Sequence, residues 1–116
     1  MRLTTQLLLP KFEILGTARN GREAVSIVLQ LQPDLLVMDI GIPVMHGLDV
    51  MALLHQKQID TKVVFLSTFA DRDLSTAAMA SGARAFVFKA QIYTDLPRAL
   101  DAVLAGHTFV SSEETR

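Results

Sequence analysis

Apolar residues in this chain follow two patterns that alternate along its length. Short continuous apolar runs bounded by turn-forming residues are typical of strands buried on both faces. The predicted strands are Leu35–Asp39, Lys62–Ser67 and Ala85–Phe88. The segments with apolar residues at helical spacing are residues 22–32, 48–56 and 71–81. Strands that alternate with helices of about ten residues predict βα units and a parallel sheet, so the predicted fold class is α/β.

The N-terminal segment has a weaker pattern. Residues 1–9 place three leucines on roughly one face of a short helix that Pro10 would end, although two adjacent threonines leave a strand open. Residues 12–18 predict a short strand, which an Asn20-Gly21 turn follows.

A last helix is predicted before Gly106, which ends it. Thr94 is positioned to cap this helix. Pro97 is tolerated in its first turn, where N–H groups lack intrahelical acceptors in any case.

Composition limits the functions to be considered. The 116 residues, half of them apolar and a fifth charged, are enough for one domain with a real core, and we expect residues 1–116 to form a single domain. A net charge of −1 gives no electrostatic basis for binding nucleic acid or an anionic membrane. The chain has no cysteine, which excludes disulfides and thiolate chemistry. No run approaches 18 continuous apolar residues, and no charged n-region precedes an apolar h-region, so we expect a cytosolic location.

Three successive predicted strands end in different functional groups. Asp39 supplies a carboxylate, Ser67 a hydroxyl and Lys89 an ammonium group. Because the carboxyl ends of parallel strands share one edge of the sheet, we expect these groups to converge on a common site. The competing interpretations are a solvated lysine and a serine that only ends its strand. The three histidines share no metal-ligand spacing and are expected at the surface.

These motifs resemble the receiver domain of bacterial response regulators, a flavodoxin-like, doubly wound fold, from about residue 3 to the C-terminus. The family's phosphoacceptor aspartate, with proline and glycine at fixed offsets, is matched by Asp39, Pro43 and Gly47. Its hydroxyl residue after the next strand is matched by Ser67, and its aromatic residue before an invariant lysine is matched by Phe86 and Lys89. The stretches 20–24 and 81–85 are also typical of the family. Residues 106–111 are similar to the exit of the branch whose receivers precede a LuxR-type helix-turn-helix domain.

The resemblance implies that a histidine kinase transfers a phosphoryl group to Asp39. Lys89 would neutralise charge, and the Ser67 hydroxyl would donate to the acyl phosphate. Backbone N–H groups of Gly41 or Thr68 could add donors. We therefore expect a signalling domain rather than an enzyme.

The resemblance also implies a switch. Phosphorylation adds a local charge of about −1.5 to −2. If Ser67 moved toward that charge, space would open for Phe86 to turn inward and change a partner-binding surface. The competing interpretation of Phe86 is an ordinary core residue.

The sequence departs from the family at its start. Receivers begin with a strand that ends in two acidic residues, which hold Mg²⁺ beside the phosphoacceptor; here the only acids before Asp34 are Glu13 and Glu23. Asp39 and the Gly41 carbonyl would leave most of an octahedral shell to water. We therefore expect weak or absent Mg²⁺ binding and slow or absent phosphorylation.

The absent strand is also a structural loss. Burial of about five apolar residues at roughly 1.5–3 kcal/mol each matches the whole stability of a typical domain. We expect an N-terminally truncated receiver, without an output domain, whose sheet is incomplete and closes differently. Either residues 12–18 pair with Leu35–Asp39 or a second chain fills the gap, and we favour a homodimer.

Two other functions remain open. A pseudo-receiver that acts in protein interaction without phosphorylation would explain the absent acidic pair. A small-molecule-binding flavodoxin-like enzyme is less well supported, because no glycine-rich phosphate loop follows a strand.

Overall fold

Three strands begin and end where the apolar runs do. The computed structural model describes residue 12, residues 16–41 and residues 45–112. The strands are β1 (Leu35–Asp39), β2 (Lys62–Ser67), β3 (Ala85–Phe88) and β4 (Phe109–Val110). The helices are α1 (Gly21–Leu31), α2 (Gly47–Gln56), α3 (Arg72–Ala80) and α4 (Ile92–Leu104), with a 3-10 turn at Lys89–Gln91 before α4.

The four strands form one parallel sheet in the order β1-β2-β3-β4. The register pairs Asp39 with Leu66 and Ser67 with Phe88, so β1, β2 and β3 end at the same edge of the sheet. Helices α2, α3 and α4 supply the crossovers that parallel strands require. The predicted α/β fold with a parallel sheet is therefore confirmed.

Alternate side chains on the strands face opposite sides of the sheet and divide the core in two. On one side, Phe65 and Phe86 are fully buried in a cluster with residues of α1, α2 and α3. On the other side, Val64 and Val87 pack with the apolar face of α4. Helices thus cover both faces, as in doubly wound folds. None of these described helices has the length and apolar character needed to cross a membrane.

The start of α1 uses the predicted Asn-Gly turn. The Asn20 side chain accepts a hydrogen bond from Glu23 N at 2.9 Å, and the Glu23 carboxylate accepts one from Arg19 N at 3.0 Å. This pattern is close to a capping box: the Asn20 side chain satisfies an N–H group of the first turn, and the Glu23 side chain binds the residue before the N-cap. Glu23 is therefore engaged in hydrogen bonds at the helix start.

The last helix begins earlier than predicted. It starts at Ile92, and its N-cap Gln91 makes no capping bond through its side chain, so the prediction that Thr94 caps this helix is wrong. Ile92 is 4% exposed and belongs to the core on the α4 side of the sheet, and this burial extends the helix backwards. Pro97 consequently lies inside the helix, where its missing N–H leaves the Tyr93 carbonyl without its usual donor.

The predicted strand over residues 12–18 is not found in its described part. Residue 12 and residues 16–18 belong to no strand. Among the described strands, β1 pairs only with β2, so the expected pairing of residues 12–18 with β1 is not seen there. The prediction for residues 1–9 and Pro10 lies outside the described residues, as does the middle of the 12–18 segment.

Gly47 offers a test of how α2 packs on the sheet. A Cβ at this position would lie 2.6 Å from Phe65 Cε1 and 2.9 Å from Ile40 Cγ1, and both neighbours are buried. We expect Gly47→Ala to lower the free energy of unfolding by about 1–3 kcal/mol, the usual cost of overpacking, in urea denaturation. Gly41→Ala is the control, because nothing lies within 4 Å of its Cβ position. Equal losses in the two variants would contradict this explanation.

Candidate functional site

Two oppositely charged side chains meet across the ends of β1 and β3. Asp39 is the last residue of β1, and Lys89 directly follows β3. Lys89 Nζ donates a hydrogen bond to Asp39 Oδ2 at 2.9 Å. The Lys89 and Asp39 side chains are 33% and 35% exposed, so the ion pair is partly shielded from water. The structure thus brings together two of the three predicted site residues.

Ser67 reaches the same edge, but its hydroxyl is engaged elsewhere. This last residue of β2 is 4% exposed. Its Oγ donates to the Phe69 carbonyl at 2.8 Å and accepts from Phe69 N at 3.2 Å. In this state the hydroxyl therefore closes the turn that follows β2 and makes no bond to Asp39.

The three strand ends border an open cleft of about 260 Å³. The predicted backbone contributors, Gly41 and Thr68, line the same cleft and are exposed. The other lining residues are Ile40, His46, Leu66, Phe69 and Leu74. The volume is below the range usual for drug-sized ligands, so the cleft suits a small group better than a larger metabolite.

One oxygen of Asp39 is left without a hydrogen bond. Oδ1 is buried and accepts none from any described residue, whereas Oδ2 is paired with Lys89. A desolvated carboxylate oxygen without a donor is unfavourable. Unsatisfied buried polar groups are rare in native proteins, and a catalytic role is one accepted reason for retaining them. The Asp39 carboxylate is therefore only half satisfied within the described part of the chain.

Phe86 already lies in the core. It is 0% exposed, and its ring meets the Phe88 ring edge-to-face with centroids 6.2 Å apart. The inward rotation expected on phosphorylation therefore has no outward starting position in this structure. The physical reason is the strand period, which directs Phe86 into the same cluster as Phe65. The competing interpretation, a core phenylalanine, describes this state.

The described residues do not fit a complete Mg²⁺ site. No group of three or more histidine, aspartate and glutamate side chains that could hold a metal occurs among them. Asp39 has one oxygen paired with Lys89, and the Gly41 carbonyl is the other predicted ligand at this edge. Two ligand groups fall well short of the six oxygens that the ion prefers.

Two contacts near the site were not predicted. His46 is exposed, as expected, but it also lines the cleft and caps α2, with its Nδ1 accepting from Leu48 N at 3.1 Å. The position of His46 directly before the start of α2 was the feature of the sequence that could have indicated its capping role. Ser111 Oγ accepts a hydrogen bond from Phe88 N at 3.1 Å, immediately before Lys89. No local sequence pattern predicts this contact, because Phe88 and Ser111 are far apart in the sequence.

Comparison with known sequences defines the class of protein. The family described as the response regulator receiver domain matches residues 1–101. The chain therefore belongs to the response regulator receiver domain family. A Pseudomonas aeruginosa protein named as a transcriptional regulator is 38% identical over 109 residues, which are 92% of this chain and 53% of that protein. The transcriptional regulatory protein YvfU of Bacillus subtilis is 36% identical over 102 residues, 88% of this chain and 51% of that protein. The chain thus spans about half the length of these relatives.

Solved structures agree with this assignment. A LuxR-family DNA-binding response regulator from Staphylococcus aureus superposes with a TM-score of 0.81 at 28% identity, over 88% of this chain and 87% of that chain. The non-phosphorylated receiver domain of the stress response regulator RcsB from Escherichia coli gives a TM-score of 0.83 at 18% identity, over 92% of this chain and 86% of that chain. The second likeness is one of fold alone.

The contribution of the Lys89–Asp39 pair can be measured directly. Lys89→Met keeps most of the apolar stem but leaves Asp39 Oδ2 without its cation. We expect a loss of about 1–3 kcal/mol in the free energy of unfolding, between the values typical of exposed and buried pairs. In a double-mutant cycle with Asp39→Asn, the combined loss should be clearly smaller than the sum of the single losses. Lys57→Met, at an exposed lysine, serves as the control, and additive effects of the site pair would argue against direct pairing.

Proposed function

We propose that Asp39 accepts a phosphoryl group from a histidine kinase and that this changes a protein-binding surface. The observation that supports this most is the Asp39–Lys89 pair at a small open cleft, in a chain of the receiver family. A carboxylate can act as a nucleophile toward phosphorus. Enzymatic phosphoryl transfer depends mainly on positioning and on neutralisation of charge, which a fixed carboxylate and ammonium group supply.

These groups would act in a single displacement. One carboxylate oxygen of Asp39 bonds to phosphorus while the phosphorus–nitrogen bond of the donor histidine breaks and its electron pair remains on the ring. Lys89 Nζ, already 2.9 Å from Oδ2, is positioned to offset part of the added negative charge. The N–H groups of Gly41 and Thr68 are further candidate donors, because both residues line the cleft.

The structural response is proposed to begin at Ser67. Its hydroxyl would give up the two bonds to Phe69 and donate to a phosphoryl oxygen instead. Phe69 is 74% exposed and lines the cleft, so its release would alter the surface beside the site. Because Phe86 is already buried, the loop after β2 is a better candidate for the moving part than rotation of that ring.

Labelling with a small phosphodonor tests the proposal. Prolonged incubation with acetyl phosphate should add one acid-stable but hydroxylamine-sensitive phosphoryl group at Asp39, detected by mass spectrometry of the intact chain and its peptides. Asp39→Asn should take no label, and Lys89→Met should be labelled about 10²-fold more slowly, the usual effect of losing one electrostatic stabiliser.

The outcomes separate two candidate functions. No label on the unaltered protein, or label that persists in Asp39→Asn, would overturn the phosphoacceptor role. The first result would favour the pseudo-receiver, which the incomplete set of metal ligands supports. We expect labelling to be slow and to depend only weakly on Mg²⁺. Rapid, stoichiometric, Mg²⁺-dependent labelling would contradict that expectation while leaving the role of Asp39 intact.

The whole regulator is proposed to act on transcription in the cytosol, with residues 1–116 as its single receiver unit and a separate DNA-binding domain as the output. The names of the relatives and the share of their length that this chain spans support this. Nucleic acid and membrane are not proposed as partners of this chain itself.

We also propose that the receiver forms a homodimer. Among the described strands β1 is paired on one side only, and unpaired strand edges favour association. Light scattering at increasing protein concentration should show the mass of a dimer. A monomer at the highest concentration would contradict this part of the proposal.

A further inference from the structure

A buried polar network includes residues on both sides of Lys89 in the sequence. Asp95, in the first turn of α4, is 7% exposed, and Ser111, just after β4, is 5% exposed. Ser111 Oγ donates to Asp95 Oδ2 at 2.6 Å, and Gln91 Nε2 donates to the same oxygen at 2.7 Å. Phe88 N completes the network by donating to Ser111 Oγ at 3.1 Å. Asp95 takes part in none of the ion pairs between described residues.

The Ser111 hydroxyl has a fixed hydrogen-bond direction. Its proton is donated to Asp95 Oδ2, and its lone pairs remain available for the Phe88 N–H, which can only donate. This contact is buried, and removal of the hydroxyl takes the acceptor from a buried N–H group, which is costly.

The Ser111 side chain thereby extends the sheet beyond β4. Its backbone N–H donates to the Phe86 carbonyl at 2.8 Å, in the manner of a strand residue. Phe88 lies two residues after Phe86 in β3, beyond the end of β4. Its backbone N–H has no β4 carbonyl opposite it and donates to the Ser111 hydroxyl instead. Phe88, the last residue of β3, is therefore hydrogen-bonded to the residue that directly follows β4.

The network holds Lys89 from both sides, because Phe88 precedes it and Gln91 follows it two residues later. We propose that Asp95 and Ser111 are positioning residues for Lys89: they fix the backbone from which the lysine reaches Asp39, and they make the site geometry dependent on the segment after β4. The consequence for phosphoryl transfer rests on the proposed function, but the positional effect does not. Since such coupling is reciprocal, a displacement of Lys89 is transmitted to Ser111 as well.

Lysine acylation under native conditions tests the positional effect. The protein is treated briefly with a limiting amount of an acetylating reagent, and the modification of Lys89 is measured by mass spectrometry relative to that of the exposed Lys57. In Ser111→Ala we expect this ratio to rise about fivefold, the equilibrium change that corresponds to one lost hydrogen bond. Asp95→Asn should raise the ratio less, because its amide can still accept from Ser111.

Ser112→Ala is the matched control, since Ser112 is the exposed neighbour of Ser111. All variants are compared where circular dichroism shows them to be folded, and Asp95→Asn is decisive if Ser111→Ala does not fold. A purely structural role would lower the unfolding midpoint without changing the ratio. An unchanged ratio in the folded variants, or an equal rise in Ser112→Ala, would overturn the inference.

Labelling of Asp39 by acetyl phosphate provides an independent readout. If the proposed function holds, Ser111→Ala slows labelling and Ser112→Ala does not. Failure of the unaltered protein to take label, combined with a raised acylation ratio in Ser111→Ala, would reject the proposed function and retain the positioning role. Labelling at an unchanged rate in Ser111→Ala, with an unchanged acylation ratio, would reject the positioning role and retain the function.

Discussion

The parallel pairing of β1, β2 and β3 is the constraint on which the site depends. Its register brings the last residues of these strands to one edge of the sheet. Asp39 and Lys89 then lie at strands separated by β2, a gap of two strand spacings or about 9–10 Å. A lysine is long enough to bridge that gap, and the 2.9 Å contact with Asp39 shows that it does. A slip of one residue in β1 would turn Asp39 to the opposite face of the sheet and break the contact.

This constraint also explains why much of the fold could be predicted from the sequence. Buried parallel strands must be apolar on both faces, so Leu35–Asp39, Lys62–Ser67 and Ala85–Phe88 appear as continuous runs, and the structure keeps those bounds. Parallel pairing alone places the carboxyl ends of these strands at the same edge of the sheet. The convergence of Asp39 and Lys89 thus followed from topology alone, while the engagement of the Ser67 hydroxyl with Phe69 depends on a turn that the pattern does not specify.

The features that escaped prediction are those set by contacts between distant segments. β4 has two residues, too few for a recognisable period, and it forms because Phe109 N and Ser111 N find carbonyl acceptors on Arg84 and Phe86. Asp95 has the sequence context of an exposed helix residue, yet it is buried because Ser111 and Gln91 bond to it. The helix start was misplaced for a similar reason, since burial of Ile92 outweighs the local preference of threonine for a cap position.

The state of Ser67 shows how a small chemical change at Asp39 could be converted into a structural one. Its hydroxyl makes two neutral hydrogen bonds to Phe69, which together contribute roughly 1–3 kcal/mol. A bond from the same hydroxyl to a charged phosphoryl oxygen is worth about 1.5–3 kcal/mol. These typical values overlap, which is compatible with a switch, because a strongly preferred arrangement could not be reversed by one group. Phe86 offers no comparable exchange, because its fully buried ring has no hydrogen bond that a phosphoryl group could replace. The loop closed by Ser67 is therefore the part of this site in which we propose that a reversible response begins.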